Sequence, residues 1–474
     1  MSRTRATPLA SVQGRKALVV GLGDSGASCV RWLVGHDAEV RGTDSRAEPP
    51  HARTLTEAFP EVSLSLGGFT AADFAWADLI VVSPGVPVAT PEIAAARAAG
   101  KDVVGDVELF ARAIAGSGAR LIAITGSNGK STVTSLAGHL CAGAGLDTVV
   151  AGNIGLPVLD ALAERELGGR APDVWVLELS SFQLETTASL RADAATVLNL
   201  SEDHMDRYAG LADYGAAKAR ILAGCAAQVV NRDDAAVRAM ARADAPSQSF
   251  GLDAGAGASD WGLIERDGRR WLARAQTPLL PLDELPLAGL HNAANALAAL
   301  ALCHAIGIAD APLLAALKTF KGLAHRVEPV ATLNGVTWYD DSKGTNVGAT
   351  VAALNGFAQP VVLIAGGDGK GQDFTPLAAA LGRARAAILI GRDAPRIAAA
   401  IDSACPVEPA ASLEAAVARA AALARSGDVV LLSPACASFD MFRNYVHRAE
   451  VFVAAVHALT AVRATRTREA DHVL

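Results

Sequence analysis

The chain has 474 residues, about half of them apolar, and a formal net charge of −7. That length is too great for one core and predicts roughly two to four domains. The acidic balance argues against a nucleic-acid-coating protein, whose binding surface would be basic.

The first residues, Met1 to Pro8, are basic but lead into no apolar segment. They do not form a signal peptide, and a cytoplasmic protein is expected. The six cysteines (Cys29, Cys141, Cys225, Cys303, Cys405, Cys436) lie far apart with no Cys-x-x-Cys pair, which predicts reduced, inert thiols rather than disulfides or a zinc site.

Short β-branched runs then alternate with alanine-rich helical patterns, the signature of parallel sheets covered by helices. The first block has predicted strands at Lys16 to Val20, Glu39 to Thr43 and Leu79 to Ser83, and closes near the helical stretch Val107 to Ala115. Gly21-Leu-Gly23-Asp-Ser-Gly26 follows its first strand, and Asp44 ends the second. This is the layout of a dinucleotide-binding fingerprint, and taken alone it suggests a dehydrogenase using NAD. The same geometry accepts any nucleoside diphosphate, however, and a second phosphate loop further on is superfluous for simple hydride transfer.

That second loop, Thr125-Gly-Ser-Asn-Gly-Lys-Ser-Thr132, sits between the apolar run Leu121 to Ile124 and a helical pattern, Val133 to Ala142. A strand, a glycine loop and a helix start aim backbone N–H groups and the positive end of the helix dipole at one spot. Lys130 adds a point charge for terminal phosphates, and Ser131 or Thr132 a hydroxyl for Mg²⁺. The usual P-loop glycine five residues before Gly129 is replaced by Ile124, so the loop is a shortened variant. Downstream, the predicted strand Val174 to Glu178 ends in a carboxylate suited to Mg²⁺. Another, Thr196 to Asn199, runs into the polar cluster Ser201-Glu-Asp-His-Met-Asp-Arg-Tyr208, in which His204 is the candidate ligand.

Gly251 to Leu287 suggests a small antiparallel or loop-rich insertion. Ala293 to Leu317 is apolar but broken by Asn295, His304, Asp310 and Pro312, short of the about 20 clean residues a membrane span needs. It reads as buried helices. The third block begins around Leu323, with predicted strands at Gly335 to Tyr339, Val361 to Ala365, Ala387 to Ile390 and Val429 to Ser433. The notable residues fall just after strands, on the rim where ligands of open α/β sheets bind.

Together, the Thr125 to Thr132 loop, Gly152-Asn-Ile-Gly155, Glu178-Leu-Ser-Ser-Phe-Gln183, Glu202-Asp-His-Met-Asp-Arg-Tyr208, His291-Asn292 with Asn295, His325-Arg326, Asp341-Ser-Lys-Gly-Thr-Asn346, Gly366-Gly-Asp-Gly-Lys370 and Ser433-Pro-Ala-Cys-Ala-Ser-Phe-Asp440 resemble the Mur ligases of peptidoglycan synthesis. The order and spacing of these segments span nearly the whole chain. Asn128, where the alanine-adding branch would have histidine, and the lack of an Asp-Asn-Pro-Arg stretch make the set look most like the D-glutamate-adding branch.

The resemblance implies an α/β chain of three domains: residues 1–108, Rossmann-like and UDP-binding; 109–322, a P-loop-type ATPase with a mostly parallel sheet; and 323–474, Rossmann-like and amino-acid-binding. It implies ATP and Mg²⁺ or Mn²⁺ as cofactors, UDP-N-acetylmuramoyl-L-alanine and D-glutamate as substrates, and a monomer with no nucleic-acid or membrane partner. Asp24, Ser25, Asp44, Ser45, Arg46 and Gly85 would line the UDP site. Gly126, Ser127, Asn128, Gly129, Lys130, Ser131 and Thr132 would hold the ATP phosphates, with Thr132, Glu178, His204 and Lys218 as metal ligands, the last as a carbamate. Asn153, Ser180 and Gln183 would meet the muramoyl-alanine end. Asn292 and Asn295 would hydrogen-bond adenine and Asp341 the ribose, with His325 close by and Arg326 reaching phosphate. Lys343, Thr345, Lys370, Ser438, Phe439 and Tyr445 would line the glutamate pocket. Two departures from the family pattern bear on that pocket: Gly344 is expected to loosen its loop, and Phe439 and Tyr445 alter its shape. The alternatives are another amide ligase on the same scaffold, an L-glutamate-adding variant or a folylpolyglutamate synthase-like enzyme, and the dehydrogenase.

Overall fold

The computed structural model describes residues 12–287 and 289–471, so the N-terminal segment Met1 to Pro8 lies outside the described residues. Three mainly parallel sheets carry the fold. The first comprises β1 (Lys16–Val20), β2 (Glu39–Asp44), β3 (Ser63–Leu66), β4 (Leu79–Val82) and β5 (Asp102–Val104), all parallel in the order β3-β2-β1-β4-β5. The order reverses at β1 and β4, and the crevice beyond their carboxyl ends is the expected ligand position.

The second sheet has nine strands: β6 (Arg120–Thr125), β7 (Thr148–Gly152), β8 (Val174–Glu178), β9 (Ala194–Val197), β10 (Ala227–Asn231), β11 (Ser247–Phe250), β12 (Asp260–Arg266), β13 (Arg269–Arg274) and β14 (Thr277–Pro281). Strands β6 to β12 pair in parallel in the order β12-β11-β10-β9-β6-β8-β7, and β12, β13 and β14 continue as an antiparallel ribbon. The predicted insertion is therefore antiparallel, but it extends the central sheet instead of standing apart. The third sheet pairs β15 (Glu328–Leu333) antiparallel to β16 (Val336–Asp340), then continues in parallel through β20 (Val429–Leu432), β17 (Val361–Gly366), β18 (Ala386–Ile390) and β19 (Val407–Pro409).

Every residue of β4, β8, β17, β18 and β20 is buried. Strands covered by helices on both faces need continuous apolar runs, not alternation, which is why these segments could be recognised in the sequence. The apolar stretch after Ala293 forms two helices, Leu290–Ala305 and Asp310–Leu317. Among the described residues no helix is long and apolar enough to cross a membrane.

The described residues divide into two compact units. One holds the first two sheets: the chain up to Leu200, Ala212–Pro281 and Ala296–Lys318. The other holds the third sheet, Ser201–Leu211, Leu282–Asn295 and the chain from Thr319 onward. Within the first unit, one apolar core runs from the helices of the first sheet to those of the second. Phe110 meets Trp175 edge-on at 5.0 Å, packing helix Asp106–Ile114 on β8. The buried Glu108 carboxylate accepts from the backbone N–H groups of Ala188 and Ser189 at 2.7 and 2.8 Å. Burial alone would raise its pKa, but these bonds and Arg112 hold it below the usual range.

Candidate active site

In the first unit, a cleft of about 780 Å³ opens at the reversal point of the first sheet. Asp24, Ser25, Asp44, Ser45, Arg46 and Gly85 line it on one side, Asn153 and Gln183 on the other. The glycine loop after β1 is shaped by contact as well as torsion. Gly21 has φ +90°, and a Cβ on Gly26 would lie 1.8 Å from the Gly21 carbonyl oxygen, so neither position tolerates a side chain. Asp44 does not face the cleft as a free acceptor. Its Oδ2 accepts from Leu22 N at 2.7 Å and Arg46 Nη2 at 2.8 Å, and its Oδ1 from Arg46 N and Nε, both at 2.9 Å. Burial opposes its ionisation, but these donors hold the carboxyl below its usual range. Arg31, His51 and Asp160, which sequence reasoning missed, also line the cleft. Arg31 bridges from helix Asp24–Gly35 to Asp160 on helix Val158–Leu167 through bonds of 3.0 and 2.6 Å. No local motif marks it, because its partner is 129 residues away.

At the far end of the cleft, Asn153 holds a buried carboxylate. Asn153 Nδ2 donates to Glu178 Oε1 at 2.8 Å, and Asn153 N to the Glu178 carbonyl at 2.8 Å. Glu178 is 2 % exposed, and its Oε2 has no hydrogen-bond partner. A buried carboxylate oxygen without a donor is costly unless a cation meets it. Ser180 and Gln183 form a capping box at the start of helix Ser181–Glu185.

The loop after β6, the strand next to β8, is held from the other neighbour, β9. Ser127 N donates to Asn199 O at 3.0 Å, Asn128 N to Asn199 Oδ1 at 2.8 Å, and Asn199 Nδ2 returns to Asn128 O at 3.1 Å. Gly129 adopts φ +82° immediately before helix Lys130–Gly143. Lys130 Nζ donates to the carbonyls of Gly126 and Ser127, both at 2.9 Å. Ser131 and Thr132 are buried at the helix start. Lys218, 1 % exposed, donates to Gly126 O at 2.7 Å and lies 4.4 Å from the Tyr214 ring centre. Phosphate loop, Glu178, Asn153 and Lys218 thus come together in one unit.

The remaining candidates belong to the second unit. His204, with φ +58°, donates its backbone N–H to Asp203 Oδ1 at 3.0 Å, and Asp203 Oδ2 accepts from Asn346 Nδ2 at 3.5 Å. Asn295 Nδ2 donates to Asn292 Oδ1 at 3.1 Å. Near β16, His325 Nδ1 meets Asp340 Oδ2 at 2.7 Å, and Lys343 N donates to His325 O at 3.2 Å. Arg326 acts on Asp341 by its charge. Lys343 Nζ reaches Tyr445 Oη at 3.3 Å.

Asp341 is buried and accepts from Ser433 Oγ at 2.7 Å. Burial pushes its pKa up to about 7 against the Ser433 bond and Arg326. Gly344 corrects an expectation: a Cβ there would lie 2.6 Å from Asp341 Oδ2 and 2.8 Å from Ser433 Oγ, so the glycine tightens the loop instead of loosening it. Thr345 is half-buried, Ser438 buried, Lys370 exposed, and Phe439 is 72 % exposed. The buried Arg448 ties these loops together through Ser342 Oγ and O, at 3.0 and 2.7 Å, and Cys436 O at 3.1 Å.

The cysteines are free, but not all are isolated: Cys141 and Cys303, remote in sequence, bring their buried sulfurs to 3.7 Å.

A nucleotide-sized cleft leading to an unsatisfied carboxylate beside a phosphate loop defines a nucleotide-dependent α/β enzyme. Family models agree along the chain: the Mur ligase MurD-like N-terminal domain matches residues 15–105, the Mur ligase middle domain 124–303, and the Mur ligase glutamate ligase domain 325–436. UDP-N-acetylmuramoylalanine–D-glutamate ligase of Chromobacterium violaceum is 60% identical over 95% of this chain and 99% of its own. The enzyme of the same name from Thiobacillus denitrificans is 59% identical over 96% and 98%. Among solved structures, UDP-N-acetylmuramate-alanine ligase of Thermotoga maritima shares the fold, with a TM-score of 0.58, 19% identity, and 94% and 99% coverage. The chain belongs to the Mur ligase family.

Proposed function

We propose that the protein is an ATP-dependent ligase that joins D-glutamate to UDP-N-acetylmuramoyl-L-alanine, acting as a cytoplasmic monomer in peptidoglycan precursor synthesis. The observation that carries this reading is the cleft that runs from the Gly21 to Gly26 loop to Asn153, whose amide holds the buried Glu178 at the end of the strand beside the one that leads into the Lys130 loop. Near-full-length identity to ligases of that name supports the choice of substrates.

In this reading residues 1–108 hold the UDP, 109–322 the ATP, and 323–474 the glutamate. Asp24, Ser25, Ser45, Arg46 and Gly85 bind the diphosphate and uridine, and Asn153, Ser180 and Gln183 the muramoyl-alanine end. Asn292, Asn295, His325, Arg326 and Asp341 serve ATP, and Lys343, Thr345, Lys370, Ser438, Phe439 and Tyr445 the glutamate. The substrate's alanine carboxylate attacks the ATP γ-phosphate, giving an acyl phosphate and ADP. The glutamate amine then adds to the acyl carbon, and phosphate leaves from the tetrahedral intermediate. All reactants are charged, so orienting them and neutralising developing charge are the main tasks. Lys130 supplies a cation on the loop itself. Glu178, with Thr132, His204 and Lys218 as its carbamate, would hold Mg²⁺ or Mn²⁺, which screens the phosphate charge when bound. The unpartnered Glu178 Oε2 fits such an ion.

The test is ADP release from purified protein given ATP, Mg²⁺, UDP-N-acetylmuramoyl-L-alanine and D- or L-glutamate. Turnover with the D-isomer is expected. Absence of turnover with either isomer sinks the proposal, and preference for L-glutamate selects the variant reading.

A further inference from the structure

Asp106 opens helix Asp106–Ile114 just after Gly105, and an acid at a helix start is ordinarily explained by the helix dipole. That explanation does not require burial. A solvent-facing aspartate would serve the dipole without losing its hydration. Asp106 is instead 2 % exposed, and its Oδ1 makes no hydrogen bond. Burial pushes its pKa up, opposed by Gln183, the backbone N–H groups of Val107 and Asp106, and Ser25. A group kept at that cost is expected to do something its surroundings need.

Its surroundings are the two walls of the cleft. Gln183 Nε2 donates to Asp106 Oδ2 at 3.2 Å, and Gln183 lines the cleft on the side of the second sheet. Ser25 lines it on the side of the glycine loop. The Gln183 amide is fixed at both ends. Its Oε1 accepts from Ser180 N at 3.1 Å and Ser180 Oγ at 3.2 Å, while its Nε2 donates to Asp106 Oδ2. With the amide locked this way, the second Nε2 hydrogen is the polar group Gln183 can offer the cleft. A reversed amide would offer a carbonyl oxygen, which repels an anionic or carbonyl-rich ligand.

We propose that Asp106 is a positioning residue for the muramoyl nucleotide: it fixes Gln183 as a donor, so that this wall of the cleft meets its anionic ligand with an N–H group. The inference rests on the assignment of the cleft to that substrate. It assigns Asp106 no contact with ATP or glutamate.

The experiment uses full-length Asp106→Ser, which keeps a helix-starting hydroxyl but is too short to hold Gln183, and Asp106→Asn, whose Oδ1 can still accept from Nε2. Binding of UDP-N-acetylmuramoyl-L-alanine is measured by calorimetry without ATP, and KM for the nucleotide and for ATP by ADP release. Asp106→Ser should weaken nucleotide binding and raise its KM about tenfold, the loss expected of one hydrogen bond, with KM for ATP within about twofold of wild type. Asp106→Asn should recover most of that loss. Nucleotide affinity unchanged in Asp106→Ser, a parallel rise in both KM values, or an Asn variant no better than Ser would overturn the positioning role. Wild-type protein that fails to bind the nucleotide overturns the assignment of the cleft, and the positioning role with it.

Discussion

Asp341→Asn should make the C-terminal domain more stable in alkali but not in acid. Asp341 is buried with its pKa at about 7, against 3.8 for an ordinary aspartate, because desolvation outweighs the Ser433 hydrogen bond and the Arg326 charge. In the window between these values the folded chain keeps a proton that the unfolded chain releases, so stability falls as pH rises through about 7. At about 1.36 kcal/mol per unit the full difference is about 4 kcal/mol, an upper figure for a buried group. About half of it develops between roughly pH 5.5 and 8.5. Asparagine stays neutral throughout, so the variant's advantage over wild type should grow by about 2 kcal/mol across that range. Hydrogen exchange of peptides covering Val336–Asp340, read by mass spectrometry without nucleotide and corrected for intrinsic rates, measures it in the right domain. A difference between variant and wild type that stays flat with pH, or shrinks, would refute the reasoning.

Two further outcomes follow from single side chains. Arg448→Met removes three hydrogen bonds from a fully buried guanidinium whose burial lowers its pKa to about 10, leaving Ser342 O and Cys436 O with fewer donors. A loss of about 1 to 3 kcal/mol is expected in the unfolding transition that reports Trp338, the only tryptophan after Trp271. An unshifted transition would show that these loops do not depend on it. Glu178→Gln keeps the volume and the Asn153 contact but removes the charge that would meet a cation. The Mg²⁺ concentration for half-maximal ADP release should rise about tenfold or more, and an unchanged requirement would remove Glu178 from the metal site.

The sequence showed most where the physics is local. Buried parallel strands need unbroken apolar runs, so β1, β8, β17 and β20 are readable almost to the residue. The glycine loops are readable because Gly21 and Gly129 occupy torsions other residues avoid. What escaped depends on pairing at long range. Asn199 holds the phosphate loop only because β9 lies beside β6, and nothing near it in sequence announces that. Asp106 has the spacing of a helix start, and only its burial against Gln183 sets it apart. Gly344 was misread by the same route: local propensity says that glycine loosens a loop, while the Asp341 and Ser433 side chains leave no room for anything else.

The N-terminal fingerprint illustrates why a motif can be correct in shape and wrong in ligand. A dinucleotide site needs the acid after the second strand to accept from ribose hydroxyls. Asp44 stands at that place, but a carboxylate offers about four lone-pair sites, and here Leu22 and Arg46 supply four donors. Nothing remains for a ribose. The carboxylate instead anchors Arg46, whose side chain is half exposed and lines the cleft. The feature that looks like a sugar acceptor therefore supports a cation, which suits the phosphates of a nucleotide ligand. The distinction lies in one neighbouring residue, two positions along, and in the direction its guanidinium turns.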